Sequence, residues 1–278
     1  MNLIIGKNGF IAKQLINRNN NYVLTTSNQN DYDCMYLDLN SPEDFDYSLI
    51  NSSTNIILLA AISSPDFCEK NFDVAKKINL DGTIYFITHA LKNYANVLFF
   101  STDLIYGKSS FPVNESSLTC PFGVYALFKD AVEKEFSNSV NFKTLRLSYV
   151  LSKYDKFLTY LKSSILNKQT AYVYNSLVRN VVYIEDLLIC IENLINNWNS
   201  YSASSINVCG LESVSRFDIA SEYKKHIDPA LDICCEEPAP SFWESRPPKI
   251  LMESIHFEDI LGYKSTSLAN TLKKINKL

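Results

Sequence analysis

Three polar residues, Thr102, Tyr125 and Lys129, could together move a proton in step with a hydride. Tyr125 and Lys129 are four residues apart, so on a helix they lie one turn apart on one face. When a nicotinamide delivers hydride to a ketone, the carbonyl oxygen becomes an alkoxide that must take up a proton, which a phenol can supply. A neighbouring ammonium would stabilise the phenolate and lower the pKa of Tyr125 from its ordinary value of about 10. Thr102 would hold the substrate oxygen near both groups.

The spacing of one tyrosine and one lysine is weak evidence by itself, because the chain contains 17 tyrosines and repeats the spacing at Tyr149 and Lys153. Tyr149 follows a predicted strand and precedes a break, whereas Tyr125 lies early in a predicted helix. Thr102 follows the predicted strand over residues 97–100, at the carboxyl edge where open α/β sheets bind ligands. We therefore predict that Tyr125, and not Tyr149, is the proton donor.

A short segment near the start of the chain is suited to bind a dinucleotide. Gly6 and Gly9 are three residues apart, after the apolar run 3–5 and before a predicted helix over 10–17. The first glycine allows a tight turn, the second lets the backbone approach a pyrophosphate, and Ala12 lets the helix pack closely on the strand. The N-terminus of that helix would offer unpaired N–H groups to the phosphates.

The end of the second predicted strand bears on which nicotinamide cofactor binds. An acidic residue there would accept a hydrogen bond from the ribose 2′-OH of NAD, but residues 25–28 are polar and uncharged, and the next carboxylate is Asp31. Lys7 could meet the 2′-phosphate of NADP, or could be an ordinary solvated lysine. We predict NADP(H) as the preferred cofactor and NAD(H) as the second choice. The predicted cofactor-binding residues are Gly6, Lys7, Asn8, Gly9, Phe10, Ile11, Asp38, Leu39, Ala60, Ala61, Tyr125 and Lys129.

Short apolar runs that alternate with helix-like segments position these residues. Strands are predicted over residues 3–5, 22–26, 56–60, 97–100 and 144–147, and helices over 10–17, 72–94 and 124–136. This alternation predicts a Rossmann-type, doubly wound parallel α/β sheet. Later in the chain, helices are predicted at 154–166, 184–198 and 214–226, with strands near 178–182 and 205–208. We expect a Rossmann domain over residues 1–152 and a mainly substrate-binding lobe over 153–278, with some segments returning to the core.

The composition argues against several other classes of protein. With 46% hydrophobic and 20% charged residues, the 278-residue chain is globular rather than disordered. A net charge of −4 disfavours nucleic acid or an anionic membrane as the main partner. Seven cysteines without CxxC spacing and three histidines without ligand spacing predict neither a disulfide framework nor a metal site. The sequence has no signal-peptide pattern and no apolar stretch of the roughly 18–20 residues that a membrane helix needs, so we expect a cytoplasmic protein.

The sequence resembles the extended short-chain dehydrogenase/reductases that act on nucleotide sugars, in the NAD-dependent epimerase/dehydratase superfamily. It is most similar to dTDP-4-dehydrorhamnose reductases and related 4-keto-sugar reductases. The resemblance rests on ordered motifs along almost the entire chain, which are Gly6-x-x-Gly9-x-x-Ala12, Leu59-Ala-Ala61, Asn79-x-x-Gly82-Thr83, Ser101-Thr-Asp-x-x-Tyr-Gly107, Tyr125-x-x-x-Lys129, Leu145-Arg-x-Ser148, Arg179-Asn-Val-Val-Tyr-Ile-Glu-Asp186, Asn207-Val-Cys-Gly-x-Glu-Ser-Val-Ser215 and Arg246-Pro247. The Arg179 motif is closer to the epimerase and dehydratase branch.

This resemblance implies roles for further residues. Arg179 resembles the family residue that reaches the nucleotide diphosphate, a task suited to a bidentate guanidinium, and Arg246 resembles a second one. Asp103 is expected to touch the substrate or to orient Thr102. Asn79 resembles a family asparagine that supports the lysine or the fold. The structural alternatives are ion pairs for the two arginines and a turn cap for Asp103.

Two departures from related enzymes narrow the expected reaction. The 4,6-dehydratases carry Thr-Asp-Glu, but here Thr102 and Asp103 are followed by Leu104, so the second carboxyl group is missing. GDP-fucose synthases add a cysteine and a histidine, but Asp103 stands at the cysteine's position, and residues 148–157 contain no histidine. Reduction of a keto group, expected at C4, on a nucleotide-activated deoxysugar for surface-glycan precursors is then the simplest chemistry.

Two alternatives remain beside this reductase. One is a nucleotide-sugar epimerase of the same family, which needs only the three polar residues. The other is a non-catalytic NADP-binding partner subunit, like the regulatory subunit of methionine adenosyltransferase; the intact Thr102, Tyr125 and Lys129 argue against it. Beyond the nucleotide-sugar substrate we allow for a homodimer and expect no nucleic acid, membrane or metal as partner.

Overall fold

The protein is built around a parallel β-sheet, in a computed structural model that describes residues 1–109 and 111–277. The strands of this part of the chain are β1 (Asn2–Ile5), β2 (Tyr22–Thr26), β3 (Met35–Tyr36), β4 (Asn55–Leu58), β5 (Asn96–Thr102), β6 (Phe142–Leu147), β7 (Tyr149–Leu151), β8 (Ala171–Tyr174), β9 (Val178–Tyr183), β10 (Ser205–Val208), β11 (Ser213–Ser215) and β12 (Ile233–Glu236). Seven of them pair in parallel in the order β10-β6-β5-β4-β1-β2-β3. β9 pairs with β7 and β11 in a second sheet, and β8 pairs with β12 in a third.

Helices cover the central sheet and fill the second half of the chain. The α-helices are α1 (Phe10–Arg18), α2 (Pro65–Lys70), α3 (Phe72–Lys76), α4 (Thr83–Lys92), α5 (Val124–Phe136), α6 (Lys156–Leu166), α7 (Ile184–Asn196), α8 (Arg216–His226), α9 (Phe257–Leu261) and α10 (Leu268–Asn276). Single 3₁₀ turns lie at Pro42–Asp44, Tyr47–Leu49, Asp103–Tyr106, Trp198–Ser200 and Pro240–Trp243. Within the described ranges, no helix has both the length and the apolar character to cross a membrane.

The predicted Rossmann-type α/β fold is confirmed by the order of the central strands. The chain moves outward from β1 to β2 and β3, then returns to place β4 on the other side of β1, which opens a crevice at the carboxyl ends of β1 and β4. Successive side chains of a strand point to opposite faces of the sheet. Accordingly Leu3 and Ile5 enter the core under α4 and α5, whereas Ile4 enters the core under α1 and α7.

Local capping explains where two helices begin. The carboxylate of Asp155 accepts hydrogen bonds from the backbone N–H groups of Phe157 and Leu158, so α6 starts at residue 156 and not at 154. Ser215 and Asp218 form a reciprocal capping box, so α8 starts at residue 216, after a strand that occupies the two predicted first positions. The Ser-x-x-Asp spacing was the sequence signal for this start.

A single helix was predicted over residues 72–94; the structure is helical from residue 72 to residue 92, but the segment is not one regular α-helix. α3 passes into a π-helix at Lys77–Gly82, and α4 follows it directly. At the end of the π-helix the backbone of Gly82 packs against the carbonyl group of Leu39, so closely that a Cβ atom would lie 1.8 Å from the oxygen. The wider turn and the missing side chain together let the helix approach the segment that follows β3.

We expect Gly82→Ala to lower the free energy of unfolding by about 1–3 kcal/mol, as other overpacked interior substitutions do. Gly82 has a helical φ of −68°, at which alanine would otherwise stabilise a helix by about 1 kcal/mol. The clash with Leu39 therefore reverses the usual sign. Urea denaturation measures the change. Ser163→Ala, on the exposed side of α6, is the control and should stay within about 0.5 kcal/mol of the unmodified protein. A stabilised Gly82→Ala variant would contradict the expectation.

The second half of the chain shares its core with the first. β10 is hydrogen-bonded along β6 as the last strand of the central sheet, with Ser205 opposite Thr144 and Val208 opposite Leu147. One cluster of buried apolar side chains contains Ile4 of β1, Leu187 of α7 and Leu272 of α10. The division of the chain at residue 152 into two domains stays a prediction.

Candidate active site

A groove of about 290 Å³ runs along the carboxyl ends of β1, β2 and β4. Of the predicted cofactor-binding residues, the groove is lined by Gly6, Lys7, Asn8, Gly9, Asp38, Leu39, Ala60 and Ala61. The other four predicted cofactor-binding residues do not line this groove. Phe10 and Ile11 are the first two residues of α1, directly after the glycine turn, and Tyr125 and Lys129 lie on α5.

The glycine turn fits a dinucleotide pyrophosphate. Gly6 has a φ of +92°, and a Cβ atom there would lie 2.9 Å from the Cβ of Ala60, so the backbone stays bare at this point. Gly9 occupies the N-cap of α1 without a side-chain cap, and the first turn carries no acidic residue. The N-terminal N–H groups of α1 are therefore left for an anionic ligand.

Lys7 forms an ion pair that the sequence analysis did not predict. Its ammonium group pairs with the carboxylate of Asp31. Hydrogen bonds to Asp31 and to Cys34 raise the pKa of Lys7. The loop after β2 thus brings an acidic residue back to the end of the groove where the adenosine ribose is predicted to lie. A 2′-phosphate would have to compete with Asp31 for Lys7.

A second cavity, of about 480 Å³, contains most of the predicted catalytic and substrate-binding side chains. Thr102 ends β5, and Tyr125 is the second residue of α5; both line the cavity, as do Asp103, Arg179 and Arg246. Lys129 lies one turn further along α5, with its Nζ atom 5.8 Å from the centre of the Tyr125 ring. The structure therefore brings together residues that the sequence separates by up to 144 positions.

Burial dominates the titration of the two α5 residues. It raises the pKa of Tyr125 above its ordinary value, so the phenol holds its proton at neutral pH. The expected lowering of this pKa by the neighbouring lysine is not seen. Burial also lowers the pKa of Lys129 to about 8, although the negative charge of Glu133 acts to raise this pKa. Tyr125 is thus a loaded proton donor beside a lysine that itself loses charge readily.

Asp103 connects Thr102 to the second half of the chain. The Thr102 hydroxyl donates a hydrogen bond to Asp103 Oδ1 (3.2 Å), and Arg179 Nε lies 3.3 Å from Asp103 Oδ2. Burial raises the pKa of Asp103, while the charge of Arg179 works in the opposite direction. These contacts agree with the expected orienting of Thr102, one of the two roles given to Asp103.

The two arginines assigned to the diphosphate already donate hydrogen bonds inside the protein. Arg179 Nη1 donates to the carbonyl oxygens of Val178 (2.7 Å) and Pro248 (3.1 Å), and its Nη2 donates to that of Pro247 (2.6 Å). Arg246 Nη2 donates to Asp66 Oδ2 at 2.8 Å. Their binding to a diphosphate stays a prediction, and each would have to exchange a protein partner for the ligand.

Sequence reasoning missed several residues of this cavity, among them Tyr149 and Arg216. Tyr149 was set aside because it was not predicted to lie on a helix with Lys153. It begins β7 and lines the same cavity as Tyr125. Arg216 is the first residue of α8, and the Ser-x-x-Asp capping box could have placed it at the start of a helix. Asn79 holds the loop after β4, because its side chain accepts from the N–H of Ile62 and donates to the Ile62 carbonyl (2.8 and 2.9 Å).

Comparison with known proteins gives one family and many similar structures. Residues 1–275 match the family described as RmlD substrate binding domain. The structure is similar to dTDP-4-dehydrorhamnose reductase from Bacillus anthracis str. Ames in complex with NADP, with 20% identity and a TM-score of 0.79 over 99% of this chain and 97% of that one. It is also similar to UDP-glucose 4-epimerase from Thermotoga maritima with UDP-glucose, with 15% identity and a TM-score of 0.77 over 100% and 98% of the two chains. No curated protein matches the sequence. At these identities the structural likeness establishes the shared fold.

Proposed function

The chain belongs to the RmlD substrate-binding-domain family, and from that premise we propose that it uses NADPH to reduce a keto group, at C4, of a nucleotide-activated deoxysugar. The observation that supports this most directly is the cavity in which Thr102 and the protonated phenol of Tyr125 lie together. The B. anthracis protein of the same fold is described as a reductase in complex with NADP. The product would serve as a surface-glycan precursor.

The side chains of the cavity divide the proton chemistry among them. When bound, NADPH supplies the hydride that the carbonyl carbon accepts. Tyr125 donates its phenolic proton to the carbonyl oxygen, which completes the alcohol and leaves a phenolate. Thr102 turns its hydroxyl proton from Asp103 to the same oxygen and fixes its position. The charge of Lys129 stabilises the phenolate until solvent returns the proton.

Purified protein and NADPH mixed with a panel of keto nucleotide sugars test the proposal. The panel contains 4-keto-6-deoxyhexoses carried on dTDP, UDP and GDP. Absorbance at the reduced-nicotinamide band should fall with one carrier far faster than with the others. An unchanged band with every member would contradict the reductase.

A 4-epimerase is the second candidate, and Asp31 beside Lys7 favours it. A carboxylate near the adenosine ribose would suit the 2′-OH of NAD, the cofactor of a reaction without net redox change. In that case the protein would interconvert UDP-glucose and UDP-galactose with no loss of NADH or NADPH. Product analysis by chromatography, run beside the absorbance assay, separates the two candidates.

NADPH is expected to bind more tightly than NADH. Lys7→Ala should reduce this difference in affinity several-fold, because one charge-assisted contact with the 2′-phosphate is lost. Asp31→Asn should widen the gap, since it frees the Lys7 ammonium for the 2′-phosphate. Fluorescence titration measures the affinity of the unmodified protein and of each variant for both dinucleotides. Lys13→Ala, which removes a lysine of α1 outside the groove, is the control. Equal affinities of the unmodified protein for both cofactors would contradict the preference.

A further inference from the structure

The side chain of Arg216 is held in the active-site cavity by two aromatic rings. Its guanidinium carbon lies 3.7 Å from the centre of the Tyr149 ring and 4.8 Å from the centre of the Phe157 ring. Contacts of this kind attract a cation and restrict its motion. A guanidinium that stacks on aromatic rings keeps its N–H groups at its edge, where they can form hydrogen bonds.

One of these N–H groups has nothing to bind. Arg216 Nη1 is buried and has no hydrogen-bond partner in the described part of the chain. Leaving a buried polar group unpaired is unfavourable, and more so for a charged one. Because Arg216 lines the cavity, an acceptor that enters it and reaches Nη1 would remove this penalty.

Arg216 also differs from the other two arginines of the cavity in its ion pairing. Arg179 is paired with Asp103, and Arg246 is paired with Asp66. For Arg216, no ion pair to a carboxylate is found within residues 1–109 and 111–277. The cavity therefore has one guanidinium in excess of its carboxylates. A ligand that fits it should carry negative charge.

We propose that Arg216 binds an oxyanion of the substrate and is a specificity-determining residue of the site. The edge of a guanidinium offers two parallel N–H donors, which match the oxygens of a phosphoryl group or a carboxylate. This oxyanion belongs either to the diphosphate of the nucleotide or to an acidic group on the sugar. The inference rests on the proposed function in taking a nucleotide sugar as the ligand, and it assigns to Arg216 the contact that the sequence analysis gave to Arg179.

Binding experiments without turnover test this assignment. Isothermal titration calorimetry measures the affinity of the NADP⁺-saturated protein for four probes: dTDP, UDP, inorganic pyrophosphate and UDP-glucuronate. We expect Arg216→Met to weaken dTDP, UDP and pyrophosphate by about 10–100-fold, the worth of a charged hydrogen-bond pair. Arg216→Lys keeps the charge but not the paired donors, so it should recover part of the loss. Arg18→Met removes a guanidinium that pairs with Glu185 and Glu192 outside the cavity, and should change nothing.

The outcomes separate the two sources of the oxyanion and the rival residue. A loss confined to UDP-glucuronate would support the inference and identify a sugar carboxylate as the ligand group. Full affinity of Arg216→Met for all four probes, with a loss in Arg179→Met, would overturn it, as would the failure of every probe to bind the unmodified protein. Melting temperatures identify a misfolded variant, in which case Arg216→Lys alone decides the result. A protein that oxidises no NADPH but loses dTDP affinity through Arg216 would refute the proposed reductase and leave this inference standing.

Discussion

Tyr125→Phe is expected to lower turnover by about 10²–10⁴-fold, the usual contribution of a positioned general acid. The substitution keeps the aromatic ring, which packs beside Lys129, and removes only the hydroxyl group. Burial holds the proton on this phenol, so the variant loses the group that is loaded for donation. NADPH affinity should scarcely change, because the hydroxyl contributes little to binding in the ground state. Steady-state kinetics and a cofactor titration measure the two quantities.

Two other tyrosines serve as references for this variant. Tyr85, on α4 and stacked on His89, lies outside the cavity, and Tyr85→Phe should be neutral. Tyr149 lines the cavity, so it is the rival for the role of proton donor. We expect Tyr149→Phe to retain turnover within a few-fold. If Tyr149→Phe lost activity while Tyr125→Phe retained it, the assignment of the donor would be wrong.

Lys129→Met is expected to reduce both turnover and cofactor binding, turnover by about 10²-fold or more and NADPH affinity by about tenfold. The ammonium group would both stabilise the phenolate of Tyr125 and, as one of the predicted cofactor-binding residues, hold the hydroxyl groups of the nicotinamide ribose. Its pKa is lowered to about 8, and only the protonated form carries the charge. Activity of the unmodified enzyme should therefore fall as the pH rises through about 8. Initial rates and cofactor titrations across the pH range test both statements.

A pair of variants on α5 separates this charge effect from a general loss of structure. The carboxylate of Glu133 raises the pKa of Lys129, so Glu133→Gln should move the alkaline fall in activity to lower pH. Glu133 is ion-paired with Arg146, and Asp130 is likewise buried on α5 and ion-paired, with Lys134. Asp130→Asn is therefore the control for the loss of such a pair, and it should leave the pH dependence where it is. An alkaline limb that stays fixed in Glu133→Gln would show that another group controls it.

The sequence was sufficient to predict the bounds of those helices and strands that are determined by neighbouring residues. Strand β2 over residues 22–26, helix α5 over 124–136 and strand β10 over 205–208 have the predicted bounds, because each has a local signal: an apolar run, helical periodicity and alternation, respectively. The π-helix within the helix predicted over 72–94 was not predicted, and it ends where Gly82 closely approaches Leu39, which is a tertiary contact. The residue pattern around Gly82 gives no information about its contact with Leu39, which lies 43 residues earlier in the chain.

The same distinction applies to the candidate site. Tyr125 and Lys129 were found because their relation is one helical turn. The partner of Lys7 was missed because the loop after β2 folds Asp31 back onto it. The contacts of Arg179 with the carbonyl groups of Pro247 and Pro248 join positions almost 70 residues apart, and no spacing rule predicts them. Motifs identified which residues meet, but not which of their donors remain open.

The position of β10 restricts how new specificities can be built on this scaffold. Exchange of everything after residue 152 for the matching part of a relative would also exchange a strand that is hydrogen-bonded along β6. An ill-matched strand would leave the N–H and C=O groups of β6 unpaired at a sheet edge, a surface that promotes aggregation. Recombination at a single crossover is therefore a poor route to chimeras. Grafts limited to the loops and to α8 would keep the host's own β10 and change only the residues that face the ligand.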